Sequence, residues 1–243
     1  MLYTLFSPSE GKHGGGCLQK ESDIFLGYEP RKEILSTYNT IANSGDMEQV
    51  KALFGLKKES DALQYINDIY NAPLLPAIER YDGVAYDYLD YKTLSSESQG
   101  YLKEQTIIFS NLYGPIKGGS SIANYKVKQG NSIGKIAPDK FYNERFSYQL
   151  DLFLMGKEVL DLRAGYYDKF YKSKQPYTTL KFLKNGKTVS HWAKAYRGIV
   201  LRTLAQHQVD SVDEFMRLEI EKLQVEEIRK IKNKTEIIYS ILD

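Results

Sequence analysis

The chain is poor in several features that often declare a function early. It has one cysteine, Cys17, in 243 residues, which excludes an intramolecular disulfide and any zinc site built from cysteines. Its three histidines, His13, His191 and His207, lie far apart and in no metal-ligand spacing, so no metal site is predicted. No apolar run approaches the length needed to span a membrane. The stretch from Met1 to Pro8 lacks the basic region and apolar segment of a signal peptide. A cytoplasmic protein with no membrane partner is the expectation. A charge excess is lacking too: 33 basic against 31 acidic residues leave a formal net of +2. That balance does not mark a nucleic-acid binder, so any basic surface must arise by clustering. No Ser/His/Asp, Cys/His or paired-carboxylate arrangement stands out, so the residues specify neither a reaction nor a cofactor. Tryptophan occurs once, against 20 tyrosines. Tyrosine joins a flat apolar ring to a polar tip and suits wet clefts and base stacking alike.

What is present reads as interleaved strands and helices. Leu2 to Phe6 is a short β-favouring run that stops at Ser7-Pro8, hence a buried strand. Four glycines between Gly11 and Gly16 then demand a loop. From about Arg31 to Ile78 the pattern is helical, broken at Phe54-Gly55-Leu56-Lys57. Thr106 to Phe109 and Glu158 to Leu162 read as further strands, with a helix from Asp139 between them. Asn185-Gly186 between two β-forming runs predicts a two-residue type I′ hairpin. Trp192 to Gln206 reads as a helix, and Ser211 with Glu214 as a capping box opening another that carries Phe215, Leu218 and Leu223. Ile237 to Leu242 closes the chain as a strand. Irregular interleaving with a hairpin argues for an α+β fold with a mixed sheet. Nothing forces a split, so residues 1–243 are read as one domain, with a helical insertion at about 31–80.

Several loops carry candidate chemistry. Gly11 to Gly16 and Lys117 to Ser121 are glycine-rich, but neither has the order or spacing of a nucleotide-binding loop. Lys12 and His13 at a strand tip could meet a phosphate. The turn at Gly55, between two helical segments, resembles a helix-hairpin-helix connection, in which backbone amides meet a DNA phosphate independently of base sequence. Lys51, Lys57 and Lys58 would add charge there, while an ordinary helix-helix turn explains the same residues. Lys194 and Arg197, three apart on a helix, share a face. Asp161 and Tyr166-Tyr167 sit where sheet-end loops often build sites.

Segments spread over most of the chain add a resemblance. These are Leu5 to Lys12, Tyr81 to Tyr86, Phe109 to Ile116, Asn124-Tyr125-Lys126, Val159 to Leu162 with Tyr167 and Lys169, and Ala193 to Gly198. In order and spacing they resemble the YaaA peroxide-stress family. The departures are Asn111 for a glycine, Lys126 for an arginine, Lys128 for an acidic residue, and Asp161 and Tyr166 for the usual Asn and Glu. Lysine at 126 keeps the charge but loses bidentate geometry.

The resemblance implies an α+β fold of its own type, a helix-hairpin-helix-like element and a basic cleft. It also implies binding to double-stranded DNA and limitation of iron-dependent damage during peroxide stress. On that basis the DNA- or anion-binding residues expected are Lys12, Gly55, Lys57, Tyr113, Lys126, Lys194 and Arg197. The contacts would go to phosphate with little sequence preference. The alternative is an enzyme acting on a nucleobase, nucleotide or other small anionic substrate in the same cleft, for which Lys12, Asp161, Tyr167 and Lys194 are the catalytic candidates.

Overall fold

A computed structural model describes residues 1–18 and 24–242. Twelve strands are present among them: β1 (Leu2–Phe6), β2 (Gly11–Lys12), β3 (Leu74–Pro76), β4 (Tyr81–Asp82), β5 (Thr106–Ser110), β6 (Gly114–Lys117), β7 (Ser121–Ala123), β8 (Glu158–Asp161), β9 (Tyr177–Lys184), β10 (Lys187–Thr188), β11 (Leu223–Ile231) and β12 (Lys234–Ile241). The helices are α1 (Lys32–Ala42), α2 (Met47–Phe54), α3 (Glu59–Leu63), α4 (Ala77–Arg80), α5 (Val84–Leu89), α6 (Ser96–Gln105), α7 (Pro138–Leu154), α8 (Ser190–Gln206) and α9 (Val212–Phe215).

The main sheet runs β11-β12-β9-β8-β1-β5-β6, with β10 hairpinned onto β9. Its five central strands, β12 to β5, pair in parallel, while β6 and β11 close the two edges antiparallel. This is the mixed α+β sheet that the irregular interleaving predicts. β1 and β5 are buried along their whole length, as strands covered on both faces must be. Two ribbons stand off the sheet, β2 with β4 and β3 with β7.

The local expectations hold where the signal is strong. Asn185 (φ 51°) and Gly186 (φ 71°) form the left-handed turn of the β9-β10 hairpin. The Ser211 hydroxyl accepts from the Glu214 amide at 3.1 Å. The helix opened there ends at Phe215, however, and Leu223 starts β11 instead. The loop expected at Gly11 to Gly16 contains the two-residue strand β2. A side-chain carbon on Gly11 would stand 3.0 Å from the Asp82 carbonyl oxygen, so glycine admits this pairing.

The turn between α2 and α3 does not confirm a helix-hairpin-helix. Gly55 is left-handed (φ 68°) and ends α2, with its amide bonded to the Ala52 carbonyl and the Leu56 amide to that of Lys51. Both amides thus serve the helix end, the ordinary duty of a C-terminal glycine cap. The Lys128 side chain lies directly over Gly55.

β1 sits between β5 and β8, so the chain leaves it in one direction and later returns on its other side. In open sheets with parallel strands the loops diverge at such a point and leave a crevice beyond the strands' carboxyl ends. The segments after Phe6, Ser110 and Asp161 all emerge there.

Candidate functional site

The loop after β1 supplies the centre of this crevice. Ser7 fixes it: its hydroxyl accepts from the Ala164 amide at 2.8 Å, and its carbonyl accepts from the Tyr86 hydroxyl at 2.9 Å. The chain then turns back through Ser9 and Glu10, and β2 pairs with β4. This brings Lys12 inward. Its Nζ donates to the Ser9 carbonyl (3.2 Å) and the Glu10 carbonyl (3.4 Å). The same nitrogen stands 4.0 Å from the centroid of the Tyr125 ring and 5.2 Å from that of Tyr81.

Beneath the amine runs a chain of hydroxyls. Ser110 Oγ accepts from the Leu112 and Tyr113 amides (3.2 and 2.9 Å) and lies 2.8 Å from the Tyr125 hydroxyl. Two acceptor positions filled leave its one proton for Tyr125. Tyr125 in turn lies 2.9 Å from the Tyr81 hydroxyl. Burial raises Tyr81 and moves Tyr125 to about 12, so both phenols stay protonated at neutral pH.

A second cation completes the group. Lys126, whose side chain is 12% exposed, pairs with Glu10 at 3.5 Å. The other Glu10 oxygen accepts from the Gln129 amide at 3.1 Å. The position of Lys126 is set from behind, because its amide donates to the buried Tyr38 hydroxyl. Lys12 is brought down to about 7, first by desolvation and then by repulsion from Lys126 and Arg80, with Glu10 opposing. Near neutral pH this amine therefore gives up its proton far more readily than an ordinary lysine.

Arg80 holds the floor. Fully buried, it donates to the carbonyls of His13, Gly15, Pro73 and Ile122 at 2.6 to 3.3 Å. It fastens the glycine-rich loop to both ribbons. Beyond Tyr81 a surface hollow of about 320 Å³ is lined in part by His13, Tyr81, Tyr86 and Asp90.

The residues predicted from sequence fall into three groups. Lys12 and Lys126 converge. Tyr113 and Tyr167 are buried in the surrounding wall: Tyr113 packs edge-on to Tyr125, and the Tyr167 hydroxyl reaches Asn111 at 3.4 Å. Asp161 and Arg197 sit under the loops. Both Asp161 oxygens are taken by Arg163 (2.9 and 2.7 Å), whose other donors hold the Tyr167 and Tyr171 carbonyls. Arg197 lies within electrostatic reach of Asp161; burial works against its charge and Asp161 partly offsets that. Gly55, Lys57 and Lys194 lie at the surface, where Gly55 is the turn of a helix end and Lys194 an exposed side chain on α8.

Sequence reasoning passed over Glu10, Arg80, Tyr81, Ser110 and Tyr125 as site residues. The available signal was position: four of the five lie in the short segments that carry the family resemblance. Arg80 immediately precedes one.

Comparison with known proteins settles the relationship. A model of the family described as "Peroxide stress protein YaaA" matches residues 2–229. The chain belongs to the YaaA family. It is 43% identical over 243 residues to the uncharacterized protein Cj0984 of Campylobacter jejuni, covering 98% of this chain and 99% of that one. It is 33% identical to a UPF0246 protein of Corynebacterium glutamicum strain R, with 84% and 85% covered. A UPF0246 protein of Streptomyces coelicolor, SCO2297, is 28% identical over 84% of this chain and 82% of its own length. Two glycines permit close approaches around the site. Gly83 admits Ser9, and Gly198 lets α8 rest on α5, where a side-chain carbon would come within 2.0 Å of the Ala85 carbonyl oxygen. No helix of the described residues is long and apolar enough to cross a membrane.

Proposed function

We propose that this YaaA-family chain serves the peroxide-stress response by acting on a small anionic substrate, a nucleobase, nucleotide or related anion, held in the Lys12–Lys126 crevice. Lys126 supplies the fixed charge that meets the anion. Lys12 takes a proton from the substrate while neutral and returns it when charged; efficient proton carriers titrate near the working pH. Tyr81 and Tyr125 supply hydroxyl protons and a ring face against which a planar group can stack. Glu10 balances the two cations until the ligand displaces it from Lys126. The observation that carries this reading is the convergence of Lys12, Lys126 and Glu10 on one hydroxyl chain at the carboxyl ends of β1 and β5. A calorimetric screen of nucleobases and nucleoside monophosphates tests it. Binding that is lost in Lys126→Ala and turns pH-independent near neutrality in Lys12→Met supports the reading. A panel that never binds the wild type refutes it.

A second reading, binding of double-stranded DNA that limits iron-dependent damage, is favoured by a separate observation. Lys57, Lys58 and Lys128 are exposed, and Lys128 lies against Gly55. Such lysines suit phosphate contacts without base readout. Affinity for a duplex should then fall steeply with salt, and each phosphate-contacting lysine removed should lower the log–log slope by about 0.9. Salt-independent or absent binding refutes it.

A further inference from the structure

The β11 edge of the main sheet is long, open and solvated. β11 spans nine residues, eight of them exposed, and among the described residues β12 is the one strand it pairs with. An open edge offers a row of unpaired amides and carbonyls to any other strand, and proteins usually blunt it with charge. Here charge is abundant, yet three large apolar side chains are exposed with it: Val225 (39%), Ile228 (51%) and Ile231 (47%). The order of residues is Val225-Glu226-Glu227-Ile228-Arg229-Lys230-Ile231. Acid precedes Ile228 and base follows it.

We propose that β11 pairs antiparallel with β11 of a second copy about a two-fold axis at Ile228, joining two sheets edge to edge. In this register, counted along the regular run from Glu227 to Ile231, Glu227 faces Arg229 of the second copy. Ile228 meets its own counterpart on the axis. Opposite charges directly across an antiparallel pair are favourable and like charges unfavourable. Among two-folds centred from Glu226 to Lys230, this one alone satisfies that rule. A two-fold placed on Glu226, Glu227, Arg229 or Lys230 sets a charged side chain against its own copy. The three pairs nearest the axis lie within the regular run from Glu227 to Ile231, beyond the irregularity between Val225 and Glu227. Glu227 and Arg229 already share a face and an ion pair at 2.6 Å, so their copies would complete a four-charge cluster. The charge that would keep strangers off this edge thus specifies one partner, the chain itself. β11 lies at the far end of the sheet from β6, four strands from β1, so the crevice stays open.

Because a single strand pair buries little surface, the association belongs to the weak class, and masses must be followed to protein concentrations on the order of 100 μM. Sedimentation equilibrium on the full chain should give a concentration-dependent dimer. Glu227→Arg alone and Arg229→Glu alone should each be monomeric, since each sets like charges across the axis. Mixed one to one, the two variants should form a heterodimer, because one strand then carries only bases where the other carries only acids. The doubly reversed variant Glu227→Arg/Arg229→Glu should dimerise like the wild type. Thermal melts of each variant confirm a folded protein, and Ile228→Asp gives an independent monomer if one reversal fails to fold. A wild type that stays monomeric throughout, single reversals that still dimerise, or a mixture that stays monomeric would overturn the proposal.

Discussion

Lys12 is the residue at which burial and charge meet, and its titration can be read in stability. Its folded value is about 7 against an ordinary 10.5. Below pH 7 the native and unfolded chains both carry the proton, so the full cost of a charged amine among tyrosine rings is present. Between pH 7 and 10.5 the native state sheds the proton while the unfolded state keeps it, so this cost shrinks as pH rises. Lys12→Met should therefore stabilise the fold most below pH 7, by about 2 kcal/mol once partial solvent access is discounted. The gain should fade towards pH 10. Urea denaturation at pH 6 and 9.5 measures the difference. Glu10 pulls Lys12 the other way, so Glu10→Gln should move its titration lower, as read from the pH midpoint of amine-specific labelling at that lysine. Asp161 answers to a different principle. Asp161→Asn removes the partner of a fully buried guanidinium and should cost about 3–5 kcal/mol, as breaking a buried ion pair does. Residue identity alone separates Lys12 from Lys194 poorly, because both end in the same ammonium. Only the tertiary neighbours, two rings and a second lysine, change what one of them can do.

Among the elements, those whose pattern is local were legible. Asn185-Gly186 names its own turn, and β1 and β5 are continuous apolar runs between breakers. β11 was not legible: Glu226, Glu227, Arg229 and Lys230 interrupt any alternation, since a strand solvated on both faces has no apolar side to display. β6 was missed because it opens on Gly114-Pro115, and β7 because it is only three residues long, just after Gly118-Gly119; only pairing with β5 and β3 makes them strands. The Gly55 turn shows how little a local pattern decides: it is compatible with a phosphate clamp, and the structure, in which its amides close α2, does not confirm one. Helix contact explains another glycine. Gly198→Ala would force the α5 backbone, 2.0 Å from the new carbon, away from α8, a cost of about 1–3 kcal/mol for overpacking. Since α5 also carries Tyr86, which tethers Ser7, the variant should lower both the melting temperature and ligand affinity. A lower melting temperature with unchanged affinity would uncouple the helix pair from the site.

Across the whole molecule, function follows from where the sheet sends its loops. Sequence displayed the candidate lysines but not their distances, because the order β8-β1-β5 is a property of topology and has no local signature. That order brings Lys12 and Lys126 together beside Glu10, Tyr81 and Tyr125, while Lys57, Lys58 and Lys128 stay on the outside. The two surfaces should therefore come apart under mutation. Lys57→Ala/Lys58→Ala should weaken duplex binding and flatten its salt dependence while leaving a nucleotide's affinity unchanged. Lys126→Ala should abolish nucleotide binding with duplex affinity changed less than about threefold, the scale of one weak exposed contact. Parallel titrations of one duplex and one nucleotide against both variants decide the matter. If both ligands weaken together in both variants, the molecule has a single continuous anion surface. The separation of a reactive recess from a basic exterior is then wrong.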